Sequence, residues 1–247
     1  MPNEPQIDIS KNEVAGFLAV KLDGMKRRVM MWGGVDKNTL LLLHFDGNFI
    51  DATGNFTLNN TGAVINKSNV KFGTGSAYFK NGLLVFPNKQ WLTDLLDSGN
   101  YTIDFWMKKY FQSTSSWYAE IPFSDDYARD TSGFTIKMQV AYNTNFFEFG
   151  NYEQWSVTGF LNHYNNSNNV WNHIAITCKN GHTRIFINGQ KIAEKSSYYP
   201  KLRDHKLCIG GRDGNDSNCD GYYDEFRISN VARWTSNFTP PTEPYKI

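Results

Sequence analysis

The chain lacks most of the features that announce covalent chemistry or membrane residence. Its 247 residues hold three cysteines, Cys178, Cys208 and Cys219, too few for a disulfide framework. Cys178 falls in an apolar strand pattern and reads as a buried, inert thiol. Cys208 and Cys219 flank a polar loop, and the sequence leaves open whether they bridge. No run approaches the roughly 18 apolar residues of a membrane-spanning helix, so membrane insertion is not expected. Neither sign of charge dominates. The 25 basic and 24 acidic residues give a formal net charge of +1, which leaves no electrostatic footprint for nucleic acid. The one basic cluster, Lys26-Arg27-Arg28, fits a solvated or partner-facing arm. The histidines (44, 163, 173, 182 and 205) lack the paired spacing of a zinc motif; His44 and His173 lie in strand patterns. The start, Met1-Pro2-Asn3-Glu4-Pro5, has no basic segment followed by an apolar run, so no secretory signal is read there. No nucleophile elbow, Ser-His-Asp order or phosphate loop is present. Helix signals are scarce, the best being one turn or two over Gln90 to Leu96.

What the chain does have is rings and short strand signals. Aromatic residues make up 15% of it, a composition suited to pleated, half-buried surfaces. From Thr39 onward, strand patterns recur at short intervals with Gly, Asn, Asp and Ser between them, the spacing of a sandwich. Ile103, Phe105 and Met107 alternate with Asp104, Trp106 and Lys108. Phe134, Ile136 and Met138 alternate with Thr135, Lys137 and Gln139. Asn180-Gly181 and Asn188-Gly189 are two-residue hairpin signals, so residues 171–194 read as a three-stranded meander. The tail Pro240-Pro241-Thr242-Glu243-Pro244 reads as an extended segment outside the core.

Residues 1–37 differ from the rest. Val14-Ala15-Gly16-Phe17-Leu18-Ala19-Val20 and Arg28-Val29-Met30-Met31-Trp32 read as two strands around a turn at Asp23-Gly24, with Gly33-Gly34 as a hinge. A segment of this size cannot bury a core of its own. It is expected either to be an attachment arm that packs on a partner or neighbouring subunit, or to form an extra hairpin on the main domain. The division expected is therefore an arm at 1–37 and one sandwich domain at 38–247.

Several stretches carry a family resemblance. They are Leu40-Leu41-Leu42-Leu43-His44-Phe45-Asp46-Gly47; Lys71-Phe72-Gly73-Thr74-Gly75-Ser76-Ala77-Tyr78-Phe79; Tyr101-Thr102-Ile103-Asp104-Phe105-Trp106-Met107; Trp171-Asn172-His173-Ile174-Ala175 with Ile185-Phe186-Ile187-Asn188-Gly189; and Tyr222-Tyr223-Asp224-Glu225-Phe226-Arg227-Ile228-Ser229-Asn230. Their order over roughly residues 39 to 235 resembles the laminin-G-like branch of the concanavalin-A-like lectin/glucanase superfamily. The resemblance implies an all-β, two-sheet antiparallel jelly-roll sandwich, and a protein that binds rather than catalyses. Retaining glucanases of that superfamily carry a pattern resembling Glu-X-Asp-X-X-Glu on one strand, which points paired carboxylates into one cleft. This chain has no such run. Asp224 and Glu225 are adjacent and are expected to face opposite ways. Glu120 and Asp125-Asp126 fall in a loop-like, proline-containing stretch.

The resemblance also implies a calcium site at Asp46 and Asp224, with carbonyls from the turn near Gly47; the alternative is that Asp46 caps its own turn and Asp224 pairs with Arg227 or Arg233. For glycan binding, aromatic residues at loop-like positions are the candidates, chiefly Tyr152, Trp155, Tyr198 and Tyr199; the alternative is that these rings cover the core edge or a subunit interface. Similar domains are frequent in bacteriophage virion proteins. The expectation is a non-catalytic virion protein decorating a capsid, fibre or tail, assembled in the host cytoplasm. It would be held by other virion proteins through residues 1–37, would be homo-oligomeric, and would have host or mucosal carbohydrate as its ligand. A bacterial carbohydrate-binding module and a purely architectural subunit are the alternatives.

Overall fold

The matched ends of the chain lie side by side. Strand β3 (Thr39–Leu43) pairs antiparallel with the last strand, β17 (Asp220–Ser229), so that Leu43 is opposite Phe226 and Leu41 opposite Ile228. The computed structural model describes residues 17–22, 25–30, 36–80, 82–109, 118–125, 133–141, 144–151, 156–167, 169–212 and 219–246.

Two antiparallel sheets make the sandwich. One contains β5 (Val64–Asn66), β6 (Ser76–Lys80), β8 (Tyr101–Lys108), β13 (Asn172–Lys179), β14 (His182–Ile187) and β15 (Gln190–Lys195), with β17 between β8 and β6. The other contains β4 (Asn59–Asn60), β7 (Leu84–Val85), β9 (Tyr118–Ser124), β10 (Phe134–Ala141), β11 (Thr144–Asn151), β12 (Val157–Phe160) and β16 (Cys208–Ile209), in the order β12-β11-β10-β9-β16-β7-β4. This is the jelly-roll class expected. The Asn-Gly signals act as read: Asn180 and Gly181 have φ of 51° and 73°, Asn188 and Gly189 50° and 76°. Positive φ at both central residues matches the twist of the flanking strands, which gives the β13-β14-β15 meander. The predicted short helix is α1 (Gln90–Ser98), burying Leu92, Leu95 and Leu96 and ending at Gly99.

The core is built from rings on both sheets. Phe105 and Phe226 of the first sheet stack at 5.3 Å, and Phe226 meets Phe123 of the second at 5.7 Å. Phe123, Phe134 and Phe149 continue the edge-to-face chain. All three cysteines are buried free thiols, so Cys208 and Cys219 do not bridge. Strands β1 (Phe17–Leu22) and β2 (Met25–Met30) form a separate two-stranded antiparallel sheet; Asp23-Gly24 and Gly33-Gly34 lie outside the described residues.

Two expectations need correction and one needs extension. Residues 240–244 are irregular and outside the core, as expected, but the residues that flank them belong to the packing. Trp234 and Phe238 stack at 4.0 Å and both meet the buried His173 edge-on, while the Tyr245 hydroxyl donates to Asp104. The tail thereby covers the outer face of the first sheet, so the polar residues alternating with the core positions of β8 and β13 are buried too. Glu120 is not in a loop. It lies in β9, fully buried, with the Lys109 ammonium 3.0 Å away. A register shift in the β9–β10 ladder takes up the irregularity beside Pro122. Asp224 and Glu225 do not face opposite ways either. Tyr223 and Phe226 are both core residues, and the register slips between Asp224 and Arg227. Glu225, at φ 51°, is the extra residue of this bulge, and both carboxylates lie on the outer side.

Candidate functional site

The first candidate is the carboxylate cluster at the matched ends. Asp46 Oδ1 accepts N–H bonds from Thr74 and, at 3.2 Å, from Gly75. Asp224 Oδ2 accepts from Lys71 at 2.9 Å and Phe72 at 3.2 Å. The two residues read from sequence as a pair thus anchor one loop, residues 67–75 between β5 and β6. Neither alternative partner holds: Arg227 makes a bidentate pair with Asp104, Arg233 bonds Asp36, and Asp46 caps the remote loop rather than its own turn. Gly73 is required there, because its φ is +63° and a Cβ would sit 2.2 Å from Asp46 Oδ1. Beside them, Glu225 Oε1 lies 2.7 Å from His44 Nδ1 and its Oε2 accepts the Tyr245 N–H at 2.8 Å.

The electrostatics of this cluster are unbalanced at one atom. Asp224 is fully buried and its Oδ1 has no hydrogen-bond partner. Burial, reinforced by the charges of Glu225 and Asp46, pushes its carboxyl up to about 7. Burial disfavours charge on His44, but the hydrogen bond and charge of Glu225 outweigh it and raise its imidazole. An orphaned, buried carboxylate oxygen fits a hard cation. Among the described residues no three His, Cys, Asp or Glu side chains gather into a metal site; calcium would take Asp46, Asp224 and oxygens other than side-chain carboxylates.

The second candidate is the outer face of the other sheet at β10, β11 and β12. Phe147, Phe149 and Val157 enter the core, so the alternating residues Phe146, Glu148, Thr158 and Phe160 face away from it. Cross-strand register makes a grid: Gln139, Phe146 and Phe160 in one row, Lys137, Glu148 and Thr158 in the next. Phe160 is 61% exposed. Glu148 is held by the Lys137 ammonium at 2.6 Å and by the Ser156 hydroxyl at 2.6 Å. Gln139 and Glu148 are buried behind this surface, so the open Phe160 ring and the Ser156 and Thr158 hydroxyls beside it are the groups that can stack on a sugar face and bond its hydroxyls.

Of the ring residues read from sequence, the two described ones lie apart. Tyr198 is 4% exposed, and its ring meets Phe149 while its hydroxyl accepts the Asn151 N–H at 3.1 Å. It is a core residue, contrary to the expectation that it is displayed on a loop. Tyr199 is 40% exposed and lies against the Gly99 and Gly181 backbone, apart from its neighbour. Tyr152 and Trp155 lie outside the described residues; in sequence they join β11 to β12, the two strands that carry Phe146 and Phe160. Phe146 and Phe160 lie in strands and not in loops. The run Phe146-Phe147-Glu148-Phe149 carried the signal, since Phe147 and Phe149 cannot both be core unless Phe146 and Glu148 point out.

A family model described as concanavalin A-like lectin/glucanases superfamily matches residues 80–236. No curated protein is detectably similar in sequence. Among solved structures, the chain resembles domain 4 of a GH43 extracellular arabinanase from Geobacillus stearothermophilus, solved in complex with arabinotriose (20% identity, TM-score 0.57, covering 79% of this chain and 93% of that one). It also resembles the binding domain of Paraclostridial Mosquitocidal Protein 1 (16%, 0.54, 79% and 49%). A third is the receptor binding domain of botulinum neurotoxin D (15%, 0.55, 80% and 50%). The chain spans about half the length of these two toxin fragments. At such identities the likeness is one of fold.

Proposed function

Since the chain belongs to the concanavalin A-like lectin/glucanases superfamily, we propose that it is a non-catalytic sandwich that binds carbohydrate on the outer face of β10, β11 and β12. The observation that carries this reading is the grid around Phe160, an open ring flanked by Phe146 and by the oriented Lys137, Glu148, Ser156 and Thr158. Tyr152 and Trp155, in the connection between two strands of that grid, are proposed to extend it. Structural neighbours support the class of ligand, since one was solved with arabinotriose. The non-catalytic part rests on the missing carboxylate pattern, and Glu148 in the grid is already engaged by Lys137.

The setting proposed is a bacteriophage virion, where similar domains decorate capsids, fibres or tails, with residues 1–37 as the attachment arm. The separate β1–β2 sheet supports the arm, because an isolated two-stranded hairpin is marginal without a partner. A single ring on a sugar binds weakly, and many copies on one particle would supply avidity. Calcium is proposed at Asp46 and Asp224, supported by the orphaned Asp224 oxygen; when bound it would supply charge neutralisation that fixes the 67–75 loop.

The test is a glycan array with the multimerised protein and its Phe160→Ala variant. The expected result is binding by the parent, lost in the variant, with the melting temperature unchanged because the ring is exposed. An array on which the parent binds nothing, or on which the variant binds equally well, overturns the proposal and leaves the architectural reading.

A further inference from the structure

The tail leaves an open cleft of about 520 Å³ against the first sheet, lined by Arg227, Arg233, Trp234, Glu243, Tyr245 and Lys246 among others. Its size suits one or two sugar rings. Its walls are unusual in how the two guanidinium groups are used. Arg227 spends Nε and Nη2 on Asp104, at 3.0 and 2.9 Å. Arg233 spends Nε on Ser229 at 2.8 Å and Nη2 on Asp36 and Thr39 at 2.7 and 3.0 Å. Among the described residues the Nη1 of each has no hydrogen-bond partner, although both residues line the cleft.

The charges around the cleft are arranged asymmetrically. Among the described residues Arg227, Arg233 and Lys246 line it, opposed by one carboxylate, Glu243. The carboxylates that pair with the two arginines, Asp104 and Asp36, are not among its walls. The wall therefore carries the basic partner of each ion pair and not the acidic one. The arginines are also rigid: Asp104 fixes Arg227, whose guanidinium carbon lies 3.5 Å from the Tyr245 ring centroid. A pre-set guanidinium edge is a strong carboxylate recogniser because little side-chain freedom is lost on binding. Trp234 and Tyr245 give the cleft aromatic walls for the body of the ligand.

We propose that this cleft is a second binding site, for a carboxylate carried on a saccharide ring, of the uronic or sialic acid type. The carboxylate takes the Nη1 edges of Arg227 and Arg233, Lys246 adds an adaptable charge, and the ring lies against Trp234 and Tyr245. The site is independent of the Phe160 grid, on the opposite sheet.

The experiment is isothermal titration of the full chain with glucuronate and N-acetylneuraminate, against galactose as the neutral control, repeated at raised salt. Binding of at least one acid with no measurable binding of galactose, weakened several-fold between 50 and 300 mM salt (roughly, for an exposed ion pair), is expected. Arg233→Gln should weaken it about tenfold, as expected for a lost charged hydrogen bond. Lys246→Gln, at an exposed position, should weaken it about twofold by losing a screened surface charge. Phe160→Ala should leave it intact. No binding of either acid at tens of millimolar, or binding indifferent to both Arg233→Gln and Lys246→Gln, overturns the site. Loss of acid binding in Phe160→Ala also overturns it, by moving the ligand to the other sheet.

Discussion

Asp104 should be among the residues whose loss costs this fold the most. Its carboxylate is fully buried between Arg227, the Tyr245 hydroxyl and His173, whose Nε2 is 3.5 Å away. Arg227 is itself only 8% exposed. Asp104→Asn keeps the shape and removes the charge, leaving an uncompensated guanidinium under the tail. Breaking a buried pair from one side costs about 3–5 kcal/mol. For a chain of this length each 1 kcal/mol moves the melting temperature by about 2–4 °C, so a fall of roughly 10 °C is expected in a thermal scan at pH 7. The double variant Asp104→Leu, Arg227→Leu removes both charges and should recover much of that loss. The pair also predicts an acid limb. Burial pulls the Asp104 carboxyl upward, but Arg227 and then His173 overrule it and hold it near about 2, against 3.8 in the unfolded chain. A depressed folded value means stability that is present above pH 4 and lost as pH falls from about 4 to 2. The amount is about 2 kcal/mol at 1.36 kcal/mol per pH unit, and it should be missing in Asp104→Asn. A fall under about 2 °C on the scale just used, or a double variant no more stable than the single, would refute the reasoning.

Other consequences can be checked with the same assay. Asp51, 3% exposed, accepts from the N–H groups of Leu42, Thr53, Asn55 and Phe56 and from the Thr53 hydroxyl; Asp51→Ala should cost about 3 kcal/mol by leaving buried donors unmet, and a neutral result would remove this residue as the anchor of the 47–56 loop. If calcium occupies the Asp46–Asp224 cluster, excess chelator should lower the melting temperature of the parent. It should not lower that of Asp224→Asn; a parent curve unchanged by chelator removes the metal. Deleting residues 1–34 should leave a folded sandwich with an unaltered melting temperature that no longer enters its assembly, and incorporation of the truncated chain would refute the arm.

The sequence by itself determined the layers of this fold and most of its turns. Alternation in Ile103, Phe105 and Met107 fixes which face of β8 meets the core, because successive side chains on a strand must point opposite ways. Asn180-Gly181 and Asn188-Gly189 fix two hairpins, because only residues tolerant of positive φ close such turns. Asp46 and Asp224 could be paired in advance through the order of the family's motifs, though not the loop they hold. Tertiary structure alone decided what covers what. The tail has no periodicity, so nothing local announces that Trp234, Phe238 and Tyr245 roof the first sheet and bury Asp104, Arg227 and His173. The bulge that brings Asp224 and Glu225 to one side is invisible in the pattern Tyr-Asp-Glu-Phe until Tyr223 and Phe226 are both known to be inside. Tyr198 and Tyr199 are neighbours of one chemical type; their packing partners, Phe149 for one and the Gly99–Gly181 backbone for the other, are remote in sequence. Which ring is core and which is exposed is therefore a property of the packed sandwich.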